Sequence, residues 1–312
     1  MKASHGFITV AMVCAGLSNC LHAAPPITAL VFAPDGKSVV AGSQGGIEVR
    51  TWPDLNVAQN ITTRLAHVHD LSFSPAGDVV AVAGGEPGES GFVELLRWPS
   101  GETIARHKLG DDVIYRVAWQ PDGKTLATAG ADRTVTLLRR DGTVLQRFVG
   151  HSRAVTAVAF LPADDRLVSV GLDQSVRLWN AATGELLRTF DNHTAAVHDV
   201  AVRPKNETGP PLIATAGADR TVRFWQPTLG RLVRFARLPS EPLAIAWTPD
   251  SRLVLAVCRD GRVRAIDPES AEIVWDQAAL SGWAYTIAVA PDGKNAVVGG
   301  EAGESRRIPF PK

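Results

Sequence analysis

The chain is poor in cysteine, tyrosine, methionine and lysine: three, two, two and seven in 312 residues. Cys14 and Cys20 fall in the first 24 residues, leaving Cys258 alone in the rest. One thiol closes no internal disulfide, and without CxxC or CxxCH there is neither a cysteine zinc cage nor covalently held c-type haem. Net charge is also missing, with 32 basic residues against 32 acidic. No field gathers a phosphate backbone, so nucleic acid is not an expected partner. No P-loop, dinucleotide fingerprint or kinase signature occurs, so no cofactor is expected. The eight histidines are scattered, and no metal site is expected. His67-Val68-His69 is expected to point its two rings to opposite faces unless a bulge intervenes. What is plentiful is apolar residues, 45% of the chain, which excludes wholesale disorder. Eight of the 20 aromatic residues are Trp, a skew that points to a repeated position. With 25 Arg to seven Lys, the positive surface is built mainly of guanidinium groups, which favour planar pairing with carboxylates.

Residues 1–24 read as a secretory signal. Lys2 is the basic start, Phe7–Leu17 (FITVAMVCAGL) the apolar run, and Ala23 and Ala24 the small-residue exit. Eleven residues are too few to span a bilayer as a helix. An alternative uses Leu17-Ser18-Asn19-Cys20, similar to a lipobox, with lipid on Cys20 and Asn19 departing from the usual small residue. Only in that case would the chain meet a membrane. Export, periplasmic or extracellular, is the expectation.

From Ile27 to the end the chain repeats. An apolar–x–apolar stretch, a spacer, Pro and a turn recur at Pro34, Pro75, Pro121, Pro162, Pro204, Pro249 and Pro291, at intervals of 41, 46, 41, 42, 45 and 42 residues. Each copy reads as four short strands. In the fourth copy these are Val155–Phe160, Leu167–Val170, Val176–Trp179 and Leu186–Phe190, separated by turn residues at Pro162, Asp173 and Gly184. Seven such units in 27–312 predict an all-β propeller in one domain.

Gly150-His151, Leu167-Val168-Ser169, Asp173 and Val176-Arg177-Leu178-Trp179-Asn180 resemble a tryptophan–aspartate (WD) repeat. Copy five repeats the pattern with Asn192-His193, Thr215, Asp219 and Trp225, and AGADRTV occurs twice, at Ala129–Val135 and Ala216–Val222. The chain is therefore expected to be a seven-bladed WD-repeat β-propeller with a three-stranded last blade. Such propellers usually close with an N-terminal strand, and here the first repeat starts directly after Pro25-Pro26. Arg306, Arg307 and Pro309 are residue types that protect an open edge. A strand from a partner, or Phe7–Ala15 if retained, are alternatives for the missing position.

His151, Ser169 and Asp173 invite a hydrolase triad, but the set recurs at repeat spacing. Ser169 to Asp173 and Thr215 to Asp219 are both four residues; Asp173 to Trp179 and Asp219 to Trp225 are both six. A catalytic triad is needed once. The resemblance implies two structural tetrads instead: His151, Ser169, Asp173, Trp179 and His193, Thr215, Asp219, Trp225. Copy three keeps Thr128 and Asp132 but has Leu138 for Trp and no matching His.

A turn with Glu86 and Glu89 in copy two recurs with Glu301 and Glu304 in copy seven. In a closed ring these flank blade one as an acidic arc, opposite turns carrying Arg133, Arg220 and Arg259. That face is the candidate partner site, and the expected function is a non-enzymatic, exported, monomeric scaffold for a protein or peptide. Ala81–Val93 resembles bacterial exported WD-repeat proteins, which implies a separate cytochrome-like exported protein as one partner. A hydrolase or lactonase with a central funnel would need polar side chains from several blades, whereas the innermost strands read mainly as Ala, Val, Ile, Leu and Trp. An intracellular signalling scaffold would require the leader reading to fail.

Overall fold

A computed structural model describes residues 24–162, 165–204 and 209–311; apart from Ala24, the leader and Cys20 lie outside the described residues. Seven antiparallel sheets follow one another along the chain, six of four strands and the last of three. The first strands pack against each other in sequence, and the first strand of blade seven (Ala284–Val289) packs on that of blade one (Ile27–Phe32), closing a propeller ring.

The core is seven interfaces rather than one centre. Each apolar cluster joins two neighbouring blades, such as Ala127, Val135, Phe148 of blade three with Val158, Leu167, Trp179 of blade four. This is why second strands read as continuous apolar runs: residues 79–85 and 167–170 are buried on both faces. The closing interface follows the same rule. Ile27, Phe32, Val39 and Ala41 meet Ala288, Ala290 and Val297, so burial joins blades seven and one with no fourth strand beside Ser305–Pro309 among the described residues.

The recurring Pro-turn also seals the ring. Gly36, Gly77, Gly123 and Gly293 sit at φ of 66°, 73°, 68° and 65°, a region costly for residues with a Cβ. Each rests on the proline of the preceding blade's turn, and a Cβ on Gly77 would come within 2.7 Å of Pro34 Cγ.

All seven first strands carry a bulge near their start. An inserted residue breaks the period-two alternation and re-aims its neighbours. One expectation is corrected: His67 and His69 do not face oppositely, since residues two apart on a strand share a face, and their rings stack at 6.2 Å and 19°. The first strands are mainly Ala, Val, Ile, Leu and Trp, but their bulged positions are Thr28, His69, Tyr115, Thr156, His198, Leu243 and Tyr285, all but Leu243 polar or aromatic. Thr28 and Thr156 donate their hydroxyls to Val68 O and Val197 O of the next blade. Trp119 and Trp247 end first strands and donate their indole N–H to Ser72 O and Ala201 O of the preceding blade, at 3.0 and 3.1 Å.

Candidate interaction face

One end of the ring carries the loops from fourth to first strands and the turns between second and third strands. In blade four the two are locked together by side chains. Trp179 Nε1 donates to Ser169 Oγ at 2.8 Å, Ser169 Oγ and His151 Nε2 lie 2.7 Å apart, and His151 Nδ1 lies 3.0 Å from Asp173. A carboxylate only accepts, so Nδ1 carries the proton and Nε2 receives the hydroxyl's. Blade five repeats the relay through Trp225, Thr215, His193 and Asp219 at 2.9, 2.8 and 2.9 Å. Burial pushes the His193 pKa down to about 4 despite the Asp219 carboxylate, and lowers His151 likewise. For Asp219 burial acts upward, but hydrogen bonds from Thr221, His193 and the Thr194 backbone win and hold it at about 2. Ser169 and Thr215 are fully buried, with the lone pair and proton both engaged, so neither hydroxyl is presented to a substrate.

The other blades solve the same corner differently. Blade three bonds Thr128 to Thr136 O at 3.4 Å, caps Thr134 with Asp132, and uses Arg147, which donates to Leu109 O at 3.0 Å. Blade six replaces three tetrad members with Leu238, Ala256 and Ile266, which share one apolar cluster. Its Asp260 instead holds the buried Arg264 at 2.7 and 3.1 Å. Burial there pushes the Cys258 thiol up to about 12, so it stays protonated. Blade two buries Glu94 completely, with Thr63 at 2.7 Å, Arg106 at 3.1 Å and Arg64 N at 3.3 Å. The only signal for that site in the chain is a lone charge inside Phe92-Val93-Glu94-Leu95-Leu96.

A second site missed by the pattern lies in the central channel. Arg116 of blade three reaches Asp70 of blade two at 3.5 Å and hydrogen-bonds Asp199 of blade five. Asp70 also accepts from Val117 N, and Asp199 from Ile245 N, both at 2.9 Å. Burial pushes the Asp70 pKa up to about 6, even with Arg116 opposing it. These contacts tie blades across the axis. Among the described residues no three His, Cys, Asp or Glu are placed to hold a metal ion.

The charged turns divide into free and engaged groups. Arg133 and Arg220 are exposed at φ of 70° and 60°, the same left-handed position in blades three and five that Gln174 takes in blade four. Arg259 lies two residues earlier in its turn, because Gly261 takes that position in blade six. Its guanidinium lies 3.9 Å over the Trp283 ring and 2.9 Å from Glu241, which also holds His198 at 2.7 Å. Glu86 and Glu89 are exposed on a turn fastened by Gly88 N to Asp112 at 3.0 Å. Glu301 is exposed and accepts Trp283 N at 3.3 Å, while Glu304 is half-buried.

Residues 100–137, 142–180, 184–226 and 239–267 match the family described as WD domain, G-beta repeat. The chain is 32% identical to COMPASS component SWD3 of Saccharomyces cerevisiae over 92 residues, 30% of this chain and 29% of that protein. It is 25% identical to the cell division cycle 20.1 protein of Arabidopsis thaliana, a cofactor of the APC complex, over 252 residues, 77% of this chain and 53% of that one. A WD repeat-containing protein of Synechocystis is 31% identical over 136 residues, 43% of this chain and 38% of that protein. The chain thus spans less than two thirds of these relatives' lengths.

Proposed function

The chain is a seven-bladed WD-repeat β-propeller, and we propose that it is a non-enzymatic scaffold binding a protein or peptide on the tetrad-bearing face. One observation carries the reading. Arg133 and Arg220 stand exposed in left-handed turns without an ion pair among the described residues, while Glu86 and Glu89 stand unpaired on blade two. Each turn is fastened at its base, so binding a partner requires little further ordering. Two relatives bear names that place them in assemblies, a COMPASS component and a cofactor of the APC complex, which agrees with a scaffold role. Export rests on the leader pattern of residues 1–24, with lipidation at Cys20 as its variant.

Affinity capture with full-length protein tests the face. Arg133→Glu/Arg220→Glu is expected to lose a partner that wild type retains, with an unchanged melting temperature. Retention by both would remove the face from consideration. Mass spectrometry of the mature N-terminus tests export: a chain starting near residue 25, or a lipidated Cys20, agrees with it, and an intact Met1 in soluble cytosol opposes it.

A further inference from the structure

The strongly exposed large apolar side chains of the ring are not scattered. Among the described residues all ten lie on fourth strands or on the turn entering one, and seven belong to blades three to five. Charge is segregated in the same direction. Residues 114–237 hold 17 Lys and Arg against 11 Asp and Glu, whereas residues 27–113 hold six against 11. The zero net charge therefore hides a basic, apolar sector and an acidic one.

The two properties meet on the outer wall of blades four and five. The fourth strand of blade four (Leu186–Phe190) exposes Leu186 and Leu187 beside Arg188. That of blade five (Arg231–Arg237) exposes Arg231, Arg234, Phe235 and Arg237, and Phe235 is 50% exposed. The walls are continuous, since a Cβ on Gly230 would meet Arg188 Nη1 at 2.8 Å. Arg234 has Glu269 at 3.8 Å and Arg231 has Gln226 at 2.6 Å, but neither Arg188 nor Arg237 has a carboxylate partner among the described residues.

We propose that this wall docks an acidic protein segment in which carboxylates alternate with large apolar side chains. Along 231–237 Arg recurs at 231, 234 and 237 with Leu, Val, Phe and Ala between, so cationic and apolar groups interleave along the strand. Guanidinium forks pair carboxylates in a fixed plane, and exposed Phe and Leu supply apolar anchors. A fourth strand is also the edge of its sheet, with free backbone groups for an added strand. An anionic bilayer is the competing occupant. The wall is convex, so a flat surface would reach one blade edge at a time, and the two strands contain no lysine.

The test uses full-length protein and a fluorescent peptide of alternating Glu and Leu. Saturable binding is expected, weakened at least tenfold by Arg188→Glu/Arg237→Glu and by Phe235→Ser, and weakened likewise when Gln replaces Glu in the peptide. Both variants should melt with wild type, and Arg133→Glu/Arg220→Glu should bind the peptide normally, which separates this surface from the loop face. Equal binding by the wall variants, equal binding of a Lys–Leu peptide, or binding to phosphatidylglycerol vesicles without peptide binding would overturn the proposal.

Discussion

Replacing Thr215 with Val keeps the shape of the blade-five corner and deletes one hydroxyl. That hydroxyl serves two buried neighbours: Trp225 Nε1–H at 2.9 Å and His193 Nε2 at 2.8 Å, on residues 0% and 2% exposed. Neither can turn to water. An orphaned buried polar group costs about 1–3 kcal/mol, so two predict a loss of roughly 2–4 kcal/mol. At about 2 °C per kcal/mol for a domain of this size, the melting temperature should fall by roughly 4–8 °C. His193→Leu should cost a similar amount, since the buried Thr215 hydroxyl loses its acceptor and Asp219 loses one of its donors. The double variant should fall short of the sum by about 1–2 kcal/mol, because the shared hydrogen bond is lost only once. Blade six, with Leu238, Ala256 and Ile266 at this corner, is a natural case in which polar members are removed together. Differential scanning calorimetry of wild type, both single variants and the double variant decides. A Thr215→Val shift within about 1 °C, or strict additivity, would refute the account of the tetrad as a mutually satisfied buried network.

Two further perturbations follow. Asp70 has a folded pKa of about 6 against an ordinary 3.8, so its contribution is fully present below pH 3.8 and is lost as pH rises through 6. That is on the order of 3 kcal/mol against the fold at neutral pH. Asp70→Asn, which keeps an acceptor for Val117 N, should therefore melt higher than wild type at pH 7.5 and lose that advantage by pH 4; the opposite trend in thermal scans would contradict it. Gly77→Ala and Gly88→Ala both impose a side chain at positive φ, 73° and 72°, but the first meets Pro34 at 2.7 Å and the second meets open space. Urea denaturation should show a loss of about 1 kcal/mol at Gly88 and clearly more at Gly77; equal losses would remove the ring-sealing role of the Pro-turn.

The ring was legible because its signals repeat. Pro-turns every 40-odd residues, twin AGADRTV segments and the three-stranded last repeat each survive degeneration of individual blades. Tetrad members could be picked out because four chemically distinct residues keep fixed spacing twice. Single events were not legible. A bulge adds one residue without changing composition, so the polar and aromatic side chains it sets on the innermost strands carry no sequence signal, whereas the shared face of His67 and His69 follows from the two-residue period of a strand. Arg116 and Asp199 are 83 residues apart and meet only across the channel. Arg259 lies in the second-to-third-strand turn of its blade, as its counterparts Arg133 and Arg220 do in theirs, but Gly261 holds the left-handed position there and Arg259 stacks on Trp283. Summed charge hid its own segregation, because opposite excesses on different blades cancel.

Hydrogen exchange of the full chain with a captured partner measures the loop-face claim most directly. The account predicts protection in the turns at 86–90, 131–133, 218–220 and 301–304, against little change in the Pro-turns at the opposite end. Protection confined to the Pro-turn end of the ring, with these four turns exchanging as in the free protein, would contradict it.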